Sequence, residues 1–466
     1  MTAAQEPSFR ISQTGKGFVA KAALDVLVGG LNESSGMVAG LDVPQSATFI
    51  QTLSRYDQLT RSRTYARQAL AAFTAFHKQY PGFSPETIRW GLAAYYASTV
   101  YDGQNQTTFL DGAMAAWEIV YPFQLTPGIA SSGHFPSINA TFQPTCNASS
   151  VQGAVLWLGR DDEAKMQVDA QTMGPFITLS SYLYNHTHNS TYSEAANLAI
   201  EFTRNFLSNG KITYDTFDLF DCTLDNGATF MYNSGYFIEG LATYSAMTGD
   251  DSQMAYLDSL VASLLQNSSH LVSHRRRASG SEDAYGRIKG IEPDPQTIEN
   301  SRLESDWKAI YINGLYTCLR FNLLTTANAE AVRGLIAVQY NAIRELASST
   351  VNNQIVYSPS SNSQPLQSLT TWGQLAAAEV LTLALNVTTD SDSTSDSGWI
   401  SMLGSPSSTF GSWASGPTEV PPPPVERSAS SRVGVIAGAV TGGAVAASVI
   451  LIVAVLCWAP KGTPHV

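Results

Sequence analysis

The chain has 466 residues, 44% hydrophobic and 14% charged, which is enough for a large core or a closed toroid of roughly 350–400 residues. Its net charge of −12 and pI near 5.0 exclude a nucleic-acid binder, which needs a basic face to meet phosphates. The four cysteines and seven histidines show no metal-ligand spacing and no HExxH, so neither a metal nor another cofactor is expected.

Residues 1–43 read as an N-terminal segment, partly flexible, ahead of a helical body over 44–387. In that body apolar residues recur every three or four positions: Tyr65, Ala69, Leu70, Phe73 and Phe76; Phe109, Ala113 and Trp117; Tyr192, Ala195, Ala199, Phe202 and Phe206. SPETIRWGLAAYY at 84–96 reads as a helix start, with Ser84 as cap, Pro85 at the first helical position and Glu86 at the positive end of the dipole. The stretches LAAYYASTVYDGQNQTTFLDGAMAA, LSSYLYNHTHNSTYSEAANLAI and LATYSAMTGDDSQMAYLDSLVASLL share one plan of helix, polar turn, aromatic residue and second helix. Repeated hairpins without strand–helix alternation predict an all-α protein, an (α/α)6 toroid, interrupted by polar loops near 124–152, 209–229 and 273–300. The one basic run, His274 to Arg277, precedes Glu282 and Asp283 and reads as a solvated loop. His186 and His188 read as surface residues. Among Cys146, Cys222 and Cys318 one disulfide can form in an oxidising compartment, with Cys146–Cys222 the first choice.

Residues 388–432 are rich in Ser, Thr and Pro and read as an extended stalk. The uncharged run 433–459 is long enough to cross about 30 Å of hydrocarbon as a single transmembrane helix, followed by a short tail at 460–466. Gly434, Gly438, Gly442 and Ala446 recur every fourth residue along it. Eight Asn-x-Ser/Thr sequons, at Asn32, Asn105, Asn139, Asn147, Asn185, Asn189, Asn267 and Asn386, favour an extracellular domain tethered to the membrane. Against this, Arg427 and Arg432 precede the apolar run while Lys461 alone follows it, and residues 1–18 hold no apolar signal region. An N-terminus incomplete as given reconciles these features; a tail-anchored cytosolic helical scaffold is the outside alternative.

Four blocks carry a family resemblance: WGLAAYY at 90–96, DCTLDNG at 221–227, FMYNSGYFIEGL at 230–241 and DWKAIYINGL at 306–315. Their order and spacing resemble glycoside hydrolase family 76, and in particular the fungal α-1,6-mannanase-like proteins of the cell wall. The resemblance spans about 50–385. It implies an (α/α)6 fold, a mannan-type glycan as partner and a catalytic Asp-Asp pair just before the WGLAA helix. That pair falls on Pro85 and Glu86, so Glu86 occupies the acid/base position and the presumed nucleophile is absent. A lone carboxylate does not support double displacement. Of the family's next block, which falls near Val168, Asp169 and 171–174, only Gly174 is retained.

The candidate site is therefore Glu86 as the catalytic carboxyl, with Trp90, Tyr232, Asn233, Asp306, Trp307 and Lys308 as substrate-binding residues. Trp90 and Trp307 offer sugar platforms, although each equally suits a core, and Tyr232 and Asn233 can bond hydroxyls or cap a helix. Asp161, Asp162, Glu163, Asp169 and Asp306 are the acids that could stand in at the cleft. Two readings follow: a carbohydrate-active protein resembling endo-α-1,6-mannosidases, acting by hydrolysis or transfer, and an inactive relative that binds wall glycan.

Overall fold

The computed structural model describes residues 7–79, 86–157, 166–226, 230–266, 307–359 and 368–389. All of them lie in the first of two compact units, residues 1–417. The stalk beyond residue 389, the predicted transmembrane run 433–459, Pro85, Asp306 and the acids at 161–163 lie outside the described residues. No helix among the described residues is long and apolar enough to cross a membrane.

The helices among the described residues are α1 (Gln13–Val28), α2 (Val43–Thr60), α3 (Ala66–Gln79), α4 (Thr87–Ser98), α5 (Gln104–Val120), a short α6 (Pro127–Ser132), α7 (Ala170–Thr187), α8 (Ser190–Phe202), α9 (Met231–Thr248), α10 (Asp251–Gln266), α11 (Trp307–Arg320), α12 (Thr326–Glu345) and α13 (Thr371–Leu383). The predicted repeat corresponds to the hairpins α4/α5, α7/α8 and α9/α10. Their turns have local chemical causes. Gly103 and Gly249 take positive φ where a side chain would be strained, and the Asn189 side chain caps α8 by accepting from the Thr191 amide.

The inner helices α2, α4, α7, α9, α11 and α13 each pack on the next, and α13 closes the ring against α2. The other long helices pack outside them: α3 on α2, α5 on α4, α8 on α7, α10 on α9 and α12 on α11. The sixth pair joins the two ends of the body, because α1 packs on α13. The Lys16 ammonium donates to the Val387 carbonyl at 2.8 Å, the Gln374 amide to the Ala23 carbonyl at 3.1 Å, and Gln13 to the Leu385 carbonyl. The predicted boundary at residue 44 therefore moves. Val19, Ala20, Ala23, Leu24 and Leu27 of α1 are buried, so residues 13–28 complete the toroid rather than precede it.

The tightest inner contacts are built on glycine. A Cβ on Gly174 would lie 2.5–2.6 Å from Tyr236 atoms of α9, and one on Gly235 would lie 2.6 Å from the Tyr311 Cα of α11. Further along the axis a polar network ties the ring together. The Tyr96 hydroxyl donates to Glu239 Oε1 at 2.7 Å, Arg55 lies over the Tyr96 ring at 4.4 Å, and Arg320 donates to the Tyr182 hydroxyl at 3.1 Å. Burial raises the Glu239 pKa, while the Tyr96 bond, Arg55 and Asn313 oppose that rise.

Two long connections stand at the N-terminal ends of α7 and α9. Residues 167–169, 216–218 and 223–224 pair as a small antiparallel sheet, and the Cys146–Cys222 disulfide staples the two connections, with Cα atoms 5.6 Å apart. The first-choice pairing is the observed one; Cys318 is buried and free.

Candidate functional site

In consecutive hairpins the inner helices run the same way, so their N-terminal ends share one mouth. There α4, α7 and α9 bring a polar chain together. Arg89 Nη2 donates to Gln171 Oε1 at 3.3 Å, and Gln171 Nε2 donates to the Tyr232 hydroxyl at 3.4 Å. The Tyr232 hydroxyl and Asn233 Nδ2 both donate to Asp215 Oδ1 at 2.8 Å. The Thr216 hydroxyl donates to Asp215 Oδ2 at 3.1 Å. A carboxylate has about four acceptor positions, so Asp215, which is only half-buried, retains capacity on Oδ2 for a further donor.

Aromatic and apolar surface flanks this carboxylate. Phe230 stacks on Tyr232 at 5.5 Å and 12°, the Arg89 guanidinium lies 4.8 Å from the Tyr236 ring centre, and Ile310 packs against Tyr232 and Tyr236. Burial, then Asp215, raises the Tyr232 pKa, which keeps its hydroxyl a donor. Asp169 is the N-cap of α7 and accepts from the Thr172 amide at 2.8 Å. It is 3% exposed, and burial pushes its pKa up to about 6. The Thr172 bonds oppose that shift, Asp215 adds to it and Arg89 opposes it.

The predicted site is only partly assembled here. Tyr232 and Asn233 meet at Asp215. Glu86 sits at the cap position of α4 and is half-buried; its carbonyl accepts from the Arg89 and Trp90 amides. The described helix begins at Thr87, so Glu86 stands before the first turn rather than within it. Trp90 is corrected to a core residue. It is 2% exposed, stacks on Phe76 at 3.7 Å and 2°, and donates its indole N–H to the Val43 carbonyl, so no ring face is left for a sugar. Lys308 is likewise buried, with its ammonium donating to the Pro359 carbonyl at 3.1 Å, so it anchors a loop instead of reaching into the mouth. Trp307 opens α11, but its side chain, like Asp306, lies outside the described residues.

Sequence reasoning missed Arg89, Gln171 and Asp215. The available signal was the roughly alternating stretch ITYDTFD at 212–218, which places an acid just before a short strand between two helices.

A closed ring of helical hairpins with an acidic, aromatic-walled mouth is an (α/α)6 toroid. Residues 139–290 match the family model for glycosyl hydrolase family 76, a span that holds Asp169, Asp215, Tyr232 and Asn233. Among solved structures, an inactive variant of the α-1,6-mannanase GH76A of Salegentibacter sp. HEL1_6, in complex with α-1,6-mannotriose, is similar at 14% identity and TM-score 0.61, covering 79% of this chain and 99% of that one. Dfg5 from Chaetomium thermophilum in complex with glucosamine is similar at 13% identity and TM-score 0.58, covering 79% and 89%. The family 76 mannosidase Bt3792 from Bacteroides thetaiotaomicron VPI-5482 is similar at 12% identity and TM-score 0.56, covering 79% and 98%. No curated protein matches the sequence. Residues 139–290 thus match glycoside hydrolase family 76, and the described residues share the fold of solved members of that family.

Proposed function

We propose that the mouth of the ring binds a mannan-type glycan of α-1,6-linked mannose, with Asp215 as the carboxylate that accepts from sugar hydroxyls. The observation that carries this reading is the double grip of Tyr232 and Asn233 on one Asp215 oxygen, which fixes the carboxylate while the other oxygen keeps an open acceptor position. Arg89 and Gln171 extend the same line of polar groups, and Phe230 supplies apolar surface beside it. The solved relative that holds α-1,6-mannotriose supports the choice of sugar.

Hydrolysis or transfer is the second reading. It is favoured by Asp169, whose carboxyl holds its proton to about pH 6 within electrostatic reach of Asp215. Such a pair offers a proton donor and a carboxylate base, the two roles glycoside cleavage needs. Glu86, at the end of the neighbouring inner helix, is the third acid of the mouth.

The placement that fits these features is the cell surface, with the domain tethered by residues 433–459. The Cys146–Cys222 disulfide supports an oxidising compartment. Of the described sequon asparagines, Asn32, Asn139, Asn147, Asn185, Asn189 and Asn386 are exposed and Asn105 is half-exposed, so each can be reached.

Incubation with α-1,6-mannotriose separates the readings. Binding that weakens about 10–100-fold in Asp215→Asn, at an unchanged fold, supports the mouth site, since a hydrogen bond to a charged group contributes about 1.5–3 kcal/mol. Equal affinity in wild type and Asp215→Asn refutes it. Product release by wild type that disappears in Asp169→Asn or Glu86→Gln supports chemistry; binding without release assigns the chain to the glycan-binding relatives.

A further inference from the structure

Away from the mouth, the described residues form an open surface cavity with mixed polar and apolar walls. It has a volume of about 590 Å³ and lies on the outer wall between the end of α8 and α10. Glu201, Arg204, Asn205, Ser208, Asn209 and Tyr256 line it. The chain enters it through a five-residue π-helical turn, Thr203–Leu207, a geometry frequent at functional sites.

The cavity is preorganised. Arg204 Nη1 donates to Gln253 Oε1 at 3.1 Å, and the guanidinium lies 4.1 Å from the Tyr256 ring centre. The Ser208 and Tyr256 hydroxyls are 3.2 Å apart. Asn209 Oδ1 accepts from the Lys211 and Ile212 amides, which fixes the rim around Gly210. Several groups remain open to a ligand. Arg204 Nε and Nη2 have no acceptor among the described residues, and the exposed Asn205 carboxamide makes no hydrogen bond to them. Glu201 uses Oε1 for Asn197, and Oε2 is open.

This combination selects the chemical class of ligand. The Glu201 carboxylate in the lining and Asp250, within electrostatic reach of Arg204, offset the single guanidinium, so a free anion is disfavoured. The open groups include donors and acceptors side by side, as vicinal hydroxyls require. We infer that this cavity is a second saccharide site, in which a neutral sugar accepts from Arg204, donates to Glu201 and bonds Asn205, with Tyr256 and the fixed rim shaping the floor. It lies on outer-ring helices and shares no residue with the mouth. A chain bound at both would gain effective concentration at each. The inference does not rest on the mouth reading.

Calorimetric titration of the full chain with α-1,6-mannotriose tests it, using Arg204→Ala, Asn205→Ala and Asp215→Ala. Asn205 is exposed and unbonded, so its truncation leaves the fold intact. Wild type is expected to bind two equivalents, Arg204→Ala and Asp215→Ala one each, and the double variant none, with Asn205→Ala weakening the second event at least fivefold. If Asp215→Ala still binds two while Arg204→Ala binds one, the mouth reading fails and this one stands. Unchanged stoichiometry and affinity in Arg204→Ala and Asn205→Ala, or binding of inorganic phosphate in place of the trisaccharide at this cavity, overturns it.

Discussion

Asp169 shows how a single buried group couples the site to pH. Its carboxyl sits under the first turn of α7 with its pKa raised to about 6, so the folded chain binds more protons than the unfolded chain between about pH 4 and 6. Stability from this residue therefore falls as pH rises through that window and levels off above it. The shift corresponds to about 2–3 kcal/mol at neutral pH. Asparagine also caps helices well, so Asp169→Asn is expected to keep α7, flatten the pH 4–6 dependence and raise stability at pH 7; denaturant melts across that range read the difference. A wild-type stability that rises from pH 4 to 6 through this residue contradicts the assignment. Trp90 illustrates the limit of residue-by-residue reading. The local sequence could not separate a platform from a core indole, because both need a large apolar ring at a helix start. Only the Phe76 stack and the bond to the Val43 carbonyl decide it. Asp215 was hidden for the opposite reason. The short alternating stretch around it marks a strand and not a site, and its partners Tyr232 and Asn233 lie 17 and 18 residues away.

The hairpins were legible because helix periodicity and turn chemistry are local: Gly103, Asn189 and Gly249 mark turns in the sequence as clearly as in space. Which helix faces which is not local. The pairing of α1 with α13 is a contact between the two ends of the body, and nothing in residues 1–43 alone announces its partner. Between neighbouring inner helices the spacing depends on glycine. Gly235 faces the α11 backbone at Tyr311, and Gly314 of α11 faces Gly235 in return, so a methyl on either would force the helices apart. Gly235→Ala is expected to cost about 1–3 kcal/mol, seen as a lower melting temperature. It should also weaken α-1,6-mannotriose binding, because Tyr232 and Asn233 ride on the same turn of α9. A Gly235→Ala chain with wild-type melting and binding would show that α9 and α11 are not held at this distance.

For the whole molecule, ring closure is what turns separate helix ends into one mouth. Deleting residues 1–43 removes the outer partner of α13 and the Lys16, Gln13 and Ala23 bonds, and it exposes the apolar face of α13 to water. The truncated chain is expected to lose cooperative unfolding or to aggregate, as light scattering and a thermal melt would show. A truncated chain that melts as wild type does would restore the boundary at residue 44. Glu239, Arg55 and their tyrosines occupy the far end of the ring axis, whereas Asp215, Asp169 and Glu86 stand at the N-terminal ends of the inner helices or in the connections before them. The most direct measurement is a crystal structure of the chain soaked with α-1,6-mannotriose. The expected result is a mannose at the mouth with a hydroxyl within roughly 2.6–3.2 Å of the Asp215 carboxylate. An intact ring whose mouth stays free of sugar at saturating trisaccharide, or a sugar there that leaves Asp215 untouched, contradicts the account.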